Sequence, residues 1–251
     1  MLRAAIAIVL VLSSPAAADD LAVDVPRTAA VTGAALGVWV GSDFLKDDLV
    51  AGSCRWCEPG ALDRHARAKL LWGDPQAASF ASSVGFAALP AGLALADLAA
   101  RRDLRLAAED ALVALEALAL AEVVTQGVKF TAGRRRPAAW AAGARREPDD
   151  DLSFFSGHAS GAFAVAAAYG TIARLRGDGG SAAVYAAGFA GATAVAYLRV
   201  AADKHWLTDA ATGAAVGALV GIGTPLLLHR KTGGAPTVGV APRAISLTFA
   251  F

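Results

Sequence analysis

The residues best suited to chemistry fall in three short polar clusters between Lys129 and Asp209, separated by apolar, Ala-rich segments. The first is Lys129-Phe-Thr-Ala-Gly-Arg-Arg-Arg136-Pro137, and the second is Ser153-Phe-Phe-Ser156-Gly157-His158. The third is Arg199-Val-Ala-Ala-Asp-Lys-His205-Trp-Leu-Thr-Asp209. They supply permanent cations, a Ser-Gly turn opening a helix, two histidines, and a carboxylate four residues after the second histidine. Arg offers a planar fork of donors and Lys a point charge, so the set suits a phosphate-like oxyanion on which a histidine acts.

Spacing suggests how each cluster is presented. Lys129 ends an apolar helical run, and Arg136 directly precedes Pro137, which favours extended or turn geometry. A helix end followed by a turn can aim both side chains at one point. Arg134 and Arg135 read as solvated loop residues. Ser156 is a good N-cap, Gly157 allows close backbone approach, and a helix N-terminus offers free N–H groups to an anion. His158 then falls in the first helical turn. His205 and Asp209, at i and i+4, share one helical face, where a carboxylate can fix the imidazole tautomer. Arg199 reaches the same anion. Taken singly, the clusters equally fit a basic loop, an ordinary N-cap and a surface His–Asp pair; their order and spacing carry the reading.

Together the clusters resemble the type 2 phosphatidic acid phosphatase superfamily, which includes the bacterial class A acid phosphatases and the vanadium haloperoxidases. The family pattern is Lys-x6-Arg-Pro, then Pro-Ser-Gly-His, then Ser-Arg-x5-His-x3-Asp. Lys129, Arg136 and Pro137 match the first part; Ser156, Gly157 and His158 match the second, with Phe155 in place of Pro. Arg199, His205 and Asp209 match the third, with Leu198 in place of Ser. The resemblance covers residues 75 to 230 and, with three ordered motifs, is specific.

The resemblance implies a phosphohistidine mechanism: His205 attacks phosphorus, Asp209 orients it, and His158 protonates the leaving oxygen. Lys129, Arg136, Arg199, the Ser156 hydroxyl and the Gly157 N–H then hold the equatorial oxygens. No metal or other cofactor is expected, and no His/Cys or carboxylate cluster has metal-site spacing. The expected substrates are phosphomonoesters or diphosphates, above all lipid phosphates of the cell envelope. Two rival readings share the fold: a haloperoxidase in which His205 ligates vanadate, and a non-enzymatic envelope binding protein.

The chain has 251 residues and a net charge of +1, which gives no indication of nucleic acid as a partner. Hydrophobic residues make up 56%, and the mean hydropathy of +0.48 lies between soluble and polytopic proteins. Residues 1–18 read as a secretory signal peptide, with Arg3, an apolar run from Ala4 to Leu12, and Ala16-Ala17-Ala18 before Asp19. Cys54 and Cys57, the only cysteines, then read as a local disulfide in an oxidising compartment.

The elements that must position the clusters are helical. Ala29 to Ser42 is a short uncharged run that reads as one helix too short to span. Asp43 to Asp74 reads as an exposed loop with short helical pieces, one near Leu62 to Trp72, where His65 is solvated. Five longer segments follow: Pro75–Ala96, Leu104–Val128, Ala159–Ala173, Ala182–Leu198 and Trp206–Leu228. The second carries Glu109, Asp110, Glu116 and Glu122, which must face protein or water if it spans a membrane. His229, after the last run, reads as an interfacial residue. Val238–Val240 and Ile245–Phe251 alternate like strands.

The expected fold is therefore all-α, a bundle of about five to six helices, with a short C-terminal β-hairpin. Its expected divisions are a signal peptide (1–18), an N-terminal segment (19–74), the catalytic bundle (75–230) and a tail (231–251). If the five segments alternate across a bilayer, Arg101, Arg102, Arg105, Arg174, Arg176, Arg230 and Lys231 share the cytoplasmic side. The three clusters, the Cys pair and the mature N-terminus then share the periplasmic side. The rival is a soluble or peripheral periplasmic enzyme.

Overall fold

The computed structural model describes residues 7–10, 20–50, 53–145, 147–231, 237–241 and 244–248. Among them are nine α-helices: α1 (Val25–Phe44), α2 (Lys46–Leu49), α3 (Ala61–Leu70), α4 (Pro75–Arg101), α5 (Leu104–Ala132), α6 (Pro137–Ala141), α7 (Gly157–Leu175), α8 (Ser181–Ala201) and α9 (Leu207–Leu228). A 3-10 turn spans Pro148–Asp151. The body is all-α, and α1, α4, α5, α7, α8 and α9 are its long members. Backbone strands Thr237–Ala241 and Ala244–Thr248 pair antiparallel, and Ala7–Leu10 pairs parallel with the latter. The rest of the expected signal peptide, and Phe251, lie outside the described residues.

Local chemistry sets the long helices. Asp24, Asp74 and Asp103 each cap an N-terminus through the side chain, at α1, α4 and α5 respectively. Proline in the first turn of α1 and α4 removes an N–H that would lack an intrahelical partner. Gly133, at φ +53°, ends α5 in the left-handed conformation.

α7 is the central helix, covered by α9, α8, α5 and α4. Its closest neighbour is α9, and small residues make that approach possible. A Cβ on Gly213, Gly217 or Gly221, one turn apart on α9, would meet the carbonyl oxygens of Ser156, Ser160 and Ala164 at 2.5, 2.0 and 2.2 Å. The stripe of missing side chains lets α9 lie directly on the backbone of α7.

Helices α4, α5, α8 and α9 are long and apolar enough to cross a membrane, which supports an integral membrane protein. α7, expected as a further span, is not among them; it is buried along nearly its whole length. The acidic groups of α5 face protein. Asp110 meets Arg101 at 2.6 Å and Arg176 at 2.7 Å. Glu116 meets His229 at 2.5 Å, so His229 is a buried partner of Glu116 rather than an interfacial residue.

α1 differs from the expected short run. Its cap at Asp24 begins it early, and twenty residues carry the chain about 30 Å. Asp20 N donates to Leu175 O and Ala22 N to His229 O, at the C-terminal ends of α7 and α9. The start of α1 therefore lies opposite the ends that bear His158 and His205, and does not share the catalytic side as expected. Cys54 and Cys57 do: they are joined in a disulfide, and Arg55 N and Trp56 N donate to Gly133 O at the end of α5.

Candidate active site

The three clusters meet at one end of the bundle. Lys129 lies in the last turn of α5, Arg136 precedes α6, Ser156 caps α7, Arg199 lies in the last turn of α8, and His205 lies between α8 and α9. His158 and His205 both lie in the electrostatic field of Arg136, Arg199 and Lys129. Lys129, Arg136 and Arg199 thus lie near enough to act on the charge of both imidazoles.

His205 is 2% exposed. Its Nδ1 lies 2.8 Å from the carbonyl oxygen of Ser153. A carbonyl can only accept, so Nδ1 carries the proton and Nε2 keeps its lone pair. Nε2 faces Arg136 Nη1 at 3.3 Å. Burial, then the charges of Arg136, Arg199 and Lys129, hold His205 well below the usual imidazole value despite the opposing Ser153 bond. The ring is therefore neutral and nucleophilic near neutral pH.

His158, the second residue of α7, packs its ring on Phe86 with centroids 4.7 Å apart. Burial, then Arg199, Lys129 and Arg136, push it down to about 3. Ser156 Oγ accepts from Ala159 N at 3.3 Å, which leaves the hydroxyl proton free to donate elsewhere. A Cβ on Gly157 would meet Glu122 Oε2 at 2.8 Å, so any larger residue there would push that carboxylate aside. Arg199 donates to Ser82 Oγ of α4 at 3.1 Å.

Arg136 is held by backbone as well as charge. Its Nε donates to Asp149 O at 2.9 Å and its Nη1 to Lys204 O at 2.8 Å. Its Nη2 donates to Asp149 Oδ1 at 3.0 Å. Burial raises the Asp149 carboxyl, but Arg136 and Lys129 outweigh it and hold the group below its usual value.

Asp209 does not hold His205 directly. Its Oδ2 lies 3.8 Å from Nδ1, beyond hydrogen-bond reach. It accepts instead from Ser153 Oγ at 2.6 Å and from Trp206 N at 2.9 Å, and it pairs with Arg134. The i, i+4 expectation fails because His205 precedes the first turn of α9, where Asp209 serves as the N3 acceptor.

Arg134, expected to be solvated, is 1% exposed. Its Nη2 donates to Asp63 Oδ2 at 2.6 Å, its Nη1 to Thr208 Oγ1 at 2.8 Å, and its guanidinium lies 3.8 Å from the Trp56 ring centroid. Sequence reasoning missed Asp63, Arg134, Asp149 and Ser153. Only Ser153, inside the second cluster, left a local signal.

No curated protein and no solved structure matches the chain. The pattern of the PAP2 superfamily matches residues 110–232, a stretch that begins in α5 and holds all three clusters. Those residues are a PAP2 superfamily domain, and most members of that superfamily are phosphatases.

Proposed function

We propose that the protein hydrolyses phosphomonoesters or diphosphates, lipid phosphates above all, through a phosphohistidine on His205. The observation that carries this is the orientation of His205: Nδ1 is tied to the Ser153 carbonyl, which leaves Nε2 as the unprotonated nitrogen, 3.3 Å from Arg136 Nη1 among the cations. In the proposed reaction Nε2 attacks phosphorus in line, and the N–P bond forms as the P–O bond to the leaving group breaks. Lys129, Arg136, Arg199, the Ser156 hydroxyl and the Gly157 N–H stabilise the equatorial oxygens as charge redistributes. A bound dianion offsets the cations that depress His158, so that His158 gains a proton and gives it to the leaving oxygen. Neutral again, it takes a proton from water, which attacks phosphorus and releases His205. The three cations supply the positive charge, so the scheme invokes no metal.

Two features support a lipid substrate. Four helices are apolar enough for a bilayer. An apolar groove of about 250 Å³, lined by Leu70, Phe163, Tyr197, Val200, Leu207 and Ala210, also runs beside the His205 loop. The disulfide supports an oxidising, periplasmic side for the site, because it is bonded to the same end of α5 as Lys129. The arginines between α4 and α5 and after α7 lie at the other end.

His205→Ala should abolish both turnover and the trapping of a labelled phosphoenzyme. Retained hydrolysis by that variant would exclude the mechanism. A screen of purified protein against lipid and soluble phosphates, with EDTA present, identifies the substrate class. Labelling with a membrane-impermeant maleimide after reduction tests whether Cys54 and Cys57 are periplasmic.

A further inference from the structure

Helix α3 lies outside residues 110–232, yet two of its side chains, one turn apart, reach both ends of the loop that carries His205. Asp63 is 3% exposed. It accepts from Thr208 N at 3.0 Å and Thr208 Oγ1 at 2.8 Å, at the start of α9. It also accepts from Arg134 Nη2 at 2.6 Å. Arg67 forks onto Asp203, Nε to Oδ1 at 2.7 Å and Nη2 to Oδ2 at 2.7 Å, where α8 has just ended. Asp203 has φ +59°, a left-handed conformation that a residue with a side chain adopts at some cost. The fork holds it there, and the chain turns so that Lys204 and His205 leave the axis of α8.

The contacts run on from Asp63 to the imidazole. Arg134 joins Asp63 to Asp209, Asp209 accepts from Ser153 Oγ, and the Ser153 carbonyl accepts from His205 Nδ1. Stability alone does not call for such a chain. Two buried charges lose their hydration, and a packed apolar pair would stabilise the fold as well. Forked, charge-assisted bonds add direction, because they fix angle along with distance.

We propose that α3 is a positioning element for the nucleophile, with Asp63 and Arg67 as its two positioning residues. They act through Thr208, Arg134 and Asp203 to set the direction of His205 Nε2. Neither contacts Lys129, Arg136 or Arg199; Arg136 touches the loop through Lys204 O, but Asp149 anchors its Nε and Nη2 independently, so aim and anion binding are separable. The catalytic consequence rests on the phosphohistidine reading; the immobilisation of the ring does not.

The test uses the full chain in detergent, with Asp63→Asn, Arg67→Ala and, as a control on an exposed face of α3, Lys69→Ala. Three quantities are measured: kcat and KM with p-nitrophenyl phosphate, affinity for orthovanadate, and the rate at which diethyl pyrocarbonate modifies each histidine. A displacement on the order of 1 Å costs about a hundredfold, so Asp63→Asn and Arg67→Ala should each lower kcat by roughly ten- to a hundredfold. KM and orthovanadate affinity should stay within about twofold, as expected when transition-state alignment alone is lost. Modification of His205 should accelerate while that of His158 and His229 does not, and Lys69→Ala should change nothing. Unchanged kcat and unchanged protection of His205 in both variants would overturn the proposal. So would a general loosening, with all buried histidines exposed and orthovanadate affinity lost together. If the wild-type protein hydrolyses no phosphate ester, the phosphatase reading fails, and the modification rates still decide whether α3 holds His205.

Discussion

Ser153 links His205 to Asp209 from both sides of one residue. Its carbonyl oxygen accepts from His205 Nδ1 at 2.8 Å, and its hydroxyl donates to Asp209 Oδ2 at 2.6 Å. The carboxylate therefore steers the imidazole at one remove. Ser153→Ala keeps the carbonyl and loses only the hydroxyl bond, so kcat should fall by about tenfold, the worth of one hydrogen bond to a charged group. Asp209→Asn does more, because Arg134, Ser153 Oγ and Trp206 N all lose a charged acceptor, although Asp63 still balances Arg134. That variant should lose about 1.5–3 kcal/mol of stability as well as turnover. Kinetics together with thermal unfolding in detergent separates the two, and equal losses in both variants would contradict the linkage.

The pH dependence of stability follows from burial of the two histidines and from the same cations. His158 and His205 are neutral in the empty folded site, and both protonate freely once the chain unfolds. Below the ordinary imidazole value of about 6.5, the unfolded chain binds more protons, so stability falls as pH falls. For His158 the loss continues down to its folded value of about 3. Thermal midpoints measured between about pH 8 and 4 should decline, and less steeply in His158→Phe, which keeps a ring on Phe86. Orthovanadate should lessen the decline further in the wild type by offsetting Arg199, Lys129 and Arg136. A slope indifferent to the His158 substitution would contradict the cause given.

Asp149 occupies the Arg136 guanidinium that the proposed mechanism assigns to phosphate. Its carboxylate meets Arg136 at 2.9 Å and is 39% exposed, so it can withdraw as an anion enters. Asp149→Asn leaves Arg136 anchored by the carbonyls of Asp149 and Lys204 while removing a competing charge. A partly exposed ion pair is worth up to about 1 kcal/mol, so orthovanadate should bind a few-fold more tightly. Isothermal titration of the two proteins checks this; weaker binding by the variant would show that Asp149 shapes the cradle rather than competes for it.

The three polar clusters were legible as candidates because each is short and carries its own local signal. Lys129 and Arg136 are seven residues apart, Ser156 caps the helix whose first turn holds His158, and His205 follows Arg199 by six residues. Arg134 was not legible. Its burial depends on Asp63, 71 residues earlier, and nothing around Asp63 distinguishes it from a solvated acid in the first turn of a short helix. The acidic residues of α5 were legible as a constraint, since carboxylates in an apolar helix must find protein or water. Their partners, Arg101, Arg176 and His229, depend on how the helices pack. The role of Asp209 was half legible: i, i+4 spacing implies a shared face only inside a helix, and His205 stands just before one. The reach of α1 was hidden for a similar reason. Its cap at Asp24 and the proline after it lie outside the apolar run that marked it.

The contact between α7 and α9 gives a prediction remote from the chemistry. Gly217 lies at the middle of the stripe, and a Cβ there would meet Ser160 O at 2.0 Å and Ser160 Cα at 2.8 Å. Both are backbone atoms, so no side chain can move aside; α9 itself must shift. Gly217→Ala should therefore cost at least the 1–3 kcal/mol typical of overpacking, roughly. Because α7 carries His158 and α9 follows His205, the same shift should separate the two histidines and lower kcat. Gly33 of α1 offers the contrast, since nothing lies within 4 Å of a Cβ placed there. Gly33→Ala should raise stability by about 0.4–1 kcal/mol, because alanine loses less freedom on entering a helix. Thermal unfolding of the two variants in one detergent should shift in opposite directions; a Gly217→Ala protein as stable as the wild type would mean that α9 does not rest on the backbone of α7.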